Sequence, residues 1–594
     1  MPGPSRSLCT GLLLGAAGLS CAGAGGKSLG EPPVASQAPA TQGPPTQLPL
    51  HVEGLYLTQG TQRLDRSVPL IQGRGAWLRV FVTARAWAGE APPLEAVIVD
   101  GSDRILLDRV IPGPPGGIPR AVLEAQLDHS YNLPIAGGQI QPGNRLRVRV
   151  QVPPGAPAGQ LAWPADGGFA ALKVVAVPPI QVTLVPVRIA GSPRVGWVTG
   201  PGRALASWRA ALRRYLPLDD VRLRVAEVFD SVQNPVQEGG ANRLLAQIDD
   251  LRRLHSRDEH QYFYGVFPAA QGRYTVGVSY INPDARSGRR TALGHDAAGW
   301  PSGDNYDEVF AHEMGHALGL RHAGCSTRGP IAELDPAFPY PDGRIGACGF
   351  DLEAGRPVDP GTSDLMSYCT PRWTSDYDWK KVLAFRSGEP AAPSAPAAAE
   401  EQDCLLVAGT VSGDRVRLEP AFRLHRTPEP PEPGPYQLTL LDGQGRILLA
   451  TPFAVQDLAE DPAGAARFGF VLPLARDLQE QAAVLRVSRD GRVLGELQAA
   501  PRPGVAAQLP GPRGDASAIR PRARRDARGR VHLTWQAGAY PDAIVEDART
   551  GDGLAMGAGG RLDLEGPART LDCLFSDGLH TVERKVPVRQ GRVQ

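Results

Sequence analysis

The sequence predicts a multidomain protein in which one mixed α/β (α+β) domain stands between all-β sandwich domains. Three observations lead there. The chain has 594 residues, enough for about three to five domains of roughly 100–200 residues each. Its apolar residues alternate with period two near both ends, whereas the middle alternates strand-like runs with helical stripes. Backbone breakers are dense, with 70 Gly and 58 Pro, as in turn- and linker-rich globular chains. Lys+Arg of 63 against Asp+Glu of 62 gives a net charge of +1, so no overall field selects nucleic acid or an anionic surface. Five Lys against 58 Arg is the composition of a GC-rich bacterial genome.

Residues 1–21 read as an export signal: Arg6 precedes an apolar run from Leu8 to Leu19 that is too short to span a bilayer. Gly18-Leu19-Ser20-Cys21 resembles a bacterial lipobox, with Cys21 as the residue to be acylated, although Gly18 departs from its branched-residue preference. Ala22-Gly23-Ala24 offers plain secretion instead. Either route places the body outside the cytoplasm. Residues 22–49 are Ala, Gly, Pro, Gln and Thr with only Lys27 and Glu31 charged, a tether that cannot bury enough apolar area to order itself. Residues 50–178 hold alternating runs such as Trp77–Val82 and Arg145–Val150, the pattern of an antiparallel β-sandwich.

From 180 to 386 the pattern is strand, helix, strand, helix. Leu205, Trp208, Leu212, Tyr215 and Leu216 form one helical stripe; Leu244, Ile248, Leu251 and Leu254 form the next. Strand-like Tyr262–Phe267 and Gly277–Ile281 follow. A linker at 387–403, a β-sandwich at 404–500, a second linker at 501–514 and a sandwich at 515–594 that resembles a fibronectin type III domain complete the chain. Seven cysteines leave Cys325, Cys348, Cys369, Cys404 and Cys573 after the signal. Cys325 and Cys369 flank the motifs below and are the candidate bridge, but spacing does not fix connectivity, and the odd number leaves at least one thiol unpaired.

Positions 312–322 read His-Glu-Met-Gly-His-Ala-Leu-Gly-Leu-Arg-His. On a helix, His312 and His316 share a face one turn apart and can ligate one Zn²⁺, with Glu313 beside the ion's open position. Gly319 can adopt a left-handed conformation, end the helix and bring His322 to the same ion. Asp304 and Asn305 are candidate caps for its start. The bare His-Glu-x-x-His arises by chance roughly once in 100 such chains, and the extended form on the order of 10⁻⁵. Asp335, Asp342 and Asp351 offer a weaker set for a structural Ca²⁺, but they lack EF-hand spacing and read more naturally as solvated loop carboxylates.

The motif resembles the metzincin clan of zinc endopeptidases at every fixed position from His312 to His322. The resemblance implies a methionine turn beneath the metal, matched by Met366 in Asp364-Leu365-Met366-Ser367-Tyr368-Cys369. It also implies a zinc-proximal role for Tyr368, which stands where astacin-like and serralysin-like members carry a tyrosine. It further implies a twisted sheet with two helices above the active-site helix, and an edge strand, here Gly277–Ile281, that holds substrate extended. The long Pro/Gly-rich loop from Gly324 to Gly361 departs from the pattern. The expected partners are a protein or peptide substrate, glycoproteins included, and a membrane through the lipid anchor, with no nucleic acid. Two rivals stay open: a surface adhesion protein with a degenerate zinc scaffold, and hydrolysis of a non-peptide amide or ester. Arg520, Arg522, Arg524, Arg525, Arg528 and Arg530 form a local basic run that reads as an exposed inter-strand segment.

Overall fold

Alternating apolar residues in the first part of the chain build two antiparallel sheets around one core. His51–Thr58, Ala76–Thr83 and Tyr131–Ile135 make one; Leu94–Val99, Ile105–Ile111 and Arg145–Val150, with two short strands, make the other. Leu78, Val80, Ala96, Ile98, Leu146 and Val148 meet between them, all at 0% exposure. The computed structural model describes residues 49–590 apart from 88, 153, 155–158, 256–260, 271–275, 283–284, 286–289, 299–303, 327–330, 390–400, 459–464 and 500–518. The export signal, Cys21, the tether and most of both linkers lie outside the described residues. The chain is multidomain and mostly β, with few helices. Among the described residues no helix is long and apolar enough to cross a membrane.

The middle domain is built on β1 (Ile180–Ile189), α1 (Leu205–Tyr215), β2 (Val221–Val225), β3 (Phe229–Ser231), α2 (Gly240–His255), β4 (Tyr262–Phe267), β5 (Gly277–Ser279), β6 (Thr291–His295), α3 (Tyr306–Ala317) and α4 (Asp376–Gly388). β1 pairs in parallel with β2 and β4, and β4 in parallel with β6. β5 runs antiparallel to β6 at the end of the sheet. Tyr262–Phe267 is buried at every position, as a strand covered on both faces must be. Its alternate residues serve different layers: Tyr262, Tyr264 and Val266 pack with Trp208 of α1 and Phe310 and Met314 of α3, whereas Phe263 and Phe267 pack with Leu244, Ile248 and Leu251 of α2. α1 and α3 therefore lie on one face and α2 on the other.

Neighbouring domains are fused to this core. The turn Gln59–Gln62 of the first sandwich docks against it: Trp373 donates to the Gly60 carbonyl (3.1 Å), Thr61 Oγ1 to the Thr374 carbonyl (2.6 Å), and the buried Arg74 guanidinium to the carbonyls of Leu216 and Leu218. On the other side, Asp230 of β3 pairs with Ala555 of strand Gly553–Ala558, so the last sandwich continues the central sheet into one of 13 strands. The sequence predicts that sandwich as a module beyond a linker; the pairing makes it an extension of the central sheet, because β3 leaves an edge for it to join.

Sandwich 404–500 meets α2 through buried charge. Asp249 faces Arg252 (3.3 Å) and Arg253 (3.1 Å), Thr291 donates to Asp249 (2.9 Å), and Glu429 of the sandwich lies 2.9 Å from both guanidinium groups. Asp249, Arg252 and Arg253 are all at most 3% exposed. Arg467 of the sandwich joins Asp250 (3.1 Å) and Glu419.

Candidate metal centre

Helix α3 ends where the sequence turns it. Gly319 has φ of +89°, its N–H donates to the His316 carbonyl (2.9 Å), and the Leu320 N–H reaches the Gly315 carbonyl (3.0 Å), the paired bonds of a left-handed helix cap. At the other end Asn305 stands at the N-cap position but its side chain makes no capping bond, and Asp304 is buried in an ion pair with Arg372 (2.8 Å). The cap expected of these two residues is replaced by acidic Asp307 and Glu308 in the first turn, where carboxylates complement the helix dipole.

The cap swings the chain back so that one ring nitrogen from each of His312, His316 and His322 falls within 4.8 Å of the others. His316 Nε2 and His322 Nε2 are 3.1 Å apart. Each Nδ1 faces a backbone carbonyl: His312 that of Leu365 (2.8 Å), His316 that of Leu320 (2.9 Å) and His322 that of Ala332 (2.7 Å). A carbonyl only accepts, so each Nδ1 carries the proton and each Nε2 turns a lone pair inward. Three buried imidazole nitrogens converging in this way suit a tetrahedral cation with Zn–N distances of about 2.0–2.1 Å. The residues present fit zinc.

Glu313 follows the first histidine and is 2% exposed. Its carboxylate lies against the edge strand: a Cβ added at Gly277 would come within 2.5 Å of Glu313 Oε1. Glycine at 277 thus leaves room for the carboxylate against the strand. Nearby Tyr264 has its pKa pushed well above the ordinary phenol range, first by burial and then by the Glu313 charge.

Met366 lies directly under the helix, with Sδ 2.8 Å from where a Cβ at Gly315 would be. The turn is fixed by Asp364, whose Oδ1 accepts from Met366 N (2.7 Å) and Oδ2 from Ser375 N (2.9 Å). Burial and the adjacent Asp364 carboxylate raise the Asp378 pKa well above its usual value. Tyr368 Oη is 3.2 Å from His322 Nε2, and its N–H donates to the Cys325 carbonyl (2.8 Å). Cys325 and Cys369 form a disulfide across 44 residues, while Cys348, Cys404 and Cys573 are buried free thiols.

The remaining sequence candidates have other partners. Asp335 accepts from Lys381 (2.6 Å) and Tyr377 (3.1 Å), and Asp351 from Arg214 (2.8 Å), while Asp342 is exposed. Among the described residues the three histidines are the one group able to hold a metal ion, so these carboxylates do not converge on calcium. Arg525 donates to the carbonyls of Gly566 and Ala568, and Arg522 and Arg524 are exposed on their strand. Gly277, Gly315 and Asp364 are the site residues that sequence reasoning did not single out; small residues beside a motif helix were the available signal for the first two.

Residues 232–337 match the family described as Metallo-peptidase family M12B Reprolysin-like, which makes this stretch metallopeptidase-like. No curated protein matches the chain. Similar solved structures include a β-glucuronidase from Parabacteroides merdae (9% identity, 91% of this chain and 77% of that one, TM-score 0.16) and a β-glycosidase from Bacteroides vulgatus (9%, 91% and 80%, 0.13). A glycosyl hydrolase family 2 member from Bacteroides cellulosilyticus is a third (10%, 91% and 79%, 0.14). TM-scores this low assign neither fold nor activity.

Proposed function

We propose that the chain is an exported zinc endopeptidase of metzincin type. The observation that carries this reading is the set of three buried histidines, each with Nδ1 on a carbonyl and Nε2 turned inward, beside a non-ligand glutamate that borders an open strand edge. A zinc ion on these nitrogens lowers the pKa of a water toward about 7 and polarises a carbonyl. The peptide lies antiparallel along Gly277–Ser279, held extended by main-chain hydrogen bonds to that strand. Glu313 takes the proton of the attacking water and returns it to the leaving amine, so that one water adds across the C–N bond. Tyr368 Oη, close to His322, donates to the oxygen that gains negative charge.

Two substitutions test these roles. Gly277→Ala pushes the Glu313 carboxylate aside and lowers kcat on the order of 10²-fold, since misplacement by about 1 Å costs that much; zinc content stays at one per chain. Tyr368→Phe slows cleavage by up to about 10²-fold with metal content unchanged, and an unaltered rate removes the tyrosine from the reaction. The body acts outside the cytoplasm and is held to the envelope by acylated Cys21, a reading supported by the lipobox-like sequence. Fatty-acid labelling of the mature protein is expected to disappear in Cys21→Ser, and labelling that persists there contradicts the anchor. Incubation with a proteome-derived peptide library, with and without a chelator, tests the activity. Chelator-sensitive cuts at defined bonds are expected, whereas bound zinc without any cut favours a binding role.

A further inference from the structure

One face of the last sandwich divides by charge into two halves. Strand Arg530–Thr534 pairs antiparallel with Arg561–Glu565 on one side and with Arg522–Arg525 on the other, and Arg522–Arg525 pairs in parallel with Thr581–Gln590. Ala523, Val531, Leu533, Leu562 and Leu564 are buried in the core, so the residues between them face outward. On the half beside the central domain the acids are engaged. Glu565 pairs with Arg188 of β1 and with Arg530 (3.2 Å), Asp563 with Arg561 (3.1 Å) and His532 (2.7 Å), and Asp526 with the same His532 (3.1 Å).

The other half is cationic. Arg524 stands in register beside Arg589, one strand spacing or about 5 Å away, and Arg522 lies two residues back on the same face. All three are exposed, and among the described residues none has a side-chain hydrogen bond or an ion-pair partner. Exposed Arg520 and Arg528 flank them, and exposed Arg569, whose carbonyl accepts from the Val588 N–H (2.9 Å), adjoins Arg589. Like charges directly opposite one another weaken a sheet, and these side chains add no bond to core or seam, unlike Arg525. The whole chain carries only +1, so the field is local, reaching about a Debye length of 8 Å. Guanidinium forks bind phosphate oxygens two at a time. Trp535, Tyr540 and Phe575, the aromatic residues of this sandwich, are buried, which leaves no platform for the stacked bases of a single-stranded nucleic acid. Arginines spread over a sheet face suit a surface of headgroups.

We propose that the face formed by Arg522, Arg524 and Arg589 docks the protein on an anionic lipid surface through headgroup phosphates. Docking of this kind needs neither the acyl group nor peptide cleavage. The mature full-length chain carrying Cys21→Ser, and so no acyl group, is sedimented with vesicles of phosphatidylcholine alone or with equimolar phosphatidylglycerol. Partition into the anionic vesicles is expected to exceed that into neutral ones at least about tenfold and to fall steeply as salt rises. Arg522→Ser, Arg524→Ser and Arg589→Ser are each expected to lower it about fivefold, and all three together at least tenfold, with the urea midpoint unchanged as the check on folding. Equal partition into the two kinds of vesicle, or a triple variant that binds like the wild type, overturns the proposal. Retention on a sulfated polysaccharide without binding to the anionic vesicles assigns the face to glycans and overturns it as well.

Discussion

Glu313→Ala is expected to keep one zinc per chain and to lose roughly 10²–10⁴ in turnover on any peptide the wild type cuts. The separation of effects follows from geometry. The three inward nitrogens belong to His312, His316 and His322, each oriented by a main-chain carbonyl that the substitution leaves in place. Glu313 contributes no member to that group. Its carboxylate instead fills the space between helix and edge strand that a Gly277 side chain would otherwise occupy. Truncation removes the proton acceptor and leaves the metal set whole, so metal analysis and turnover part company. A variant that cleaves at the wild-type rate, or one that loses its zinc, contradicts the role given to this residue.

Asp249→Ala is expected to destabilise the chain by roughly 3–5 kcal/mol, the usual result of stripping a partner from buried charge. Arg252 and Arg253 stay behind, almost wholly out of water, with Glu429 still 2.9 Å from both. The loss falls on the seam between α2 and sandwich 404–500, and with it on the layer that backs the sheet. Urea unfolding followed by fluorescence reads it as a lower midpoint. Arg253→Leu in the same background is expected to recover part of the loss, because it withdraws one of the two stranded cations. A midpoint within experimental error of the wild type would contradict the buried-network account.

The motif residues were legible because helical periodicity and glycine chemistry act locally: two histidines one turn apart, then Gly319 at φ of +89°, need no distant partner to be read. Strand Tyr262–Phe267 and the stripes of α1 and α2 were legible for the same reason. Periodicity reports that a face is buried but not what buries it. The pairing of Asp230 with Ala555, the docking of Gln59–Gln62 and the bridge from Tyr280 to Leu458 join segments far apart in sequence, and no local pattern announces them. Buried Asp249, Arg252, Arg253 and Arg467 look in sequence like ordinary surface charges, which such residues usually are. Gly277 was placed in the right strand, yet its close approach to Glu313 becomes visible only when helix and edge strand are brought together.

Removal and return of the metal tests the central claim most directly. The full chain is stripped with a chelator, dialysed, and titrated with Zn²⁺ while cleavage of one library-derived peptide is followed. The account predicts that the stripped protein is inactive and that activity returns linearly to a plateau at one equivalent of zinc. Cleavage that survives stripping, or that fails to return although one zinc is rebound, would contradict it.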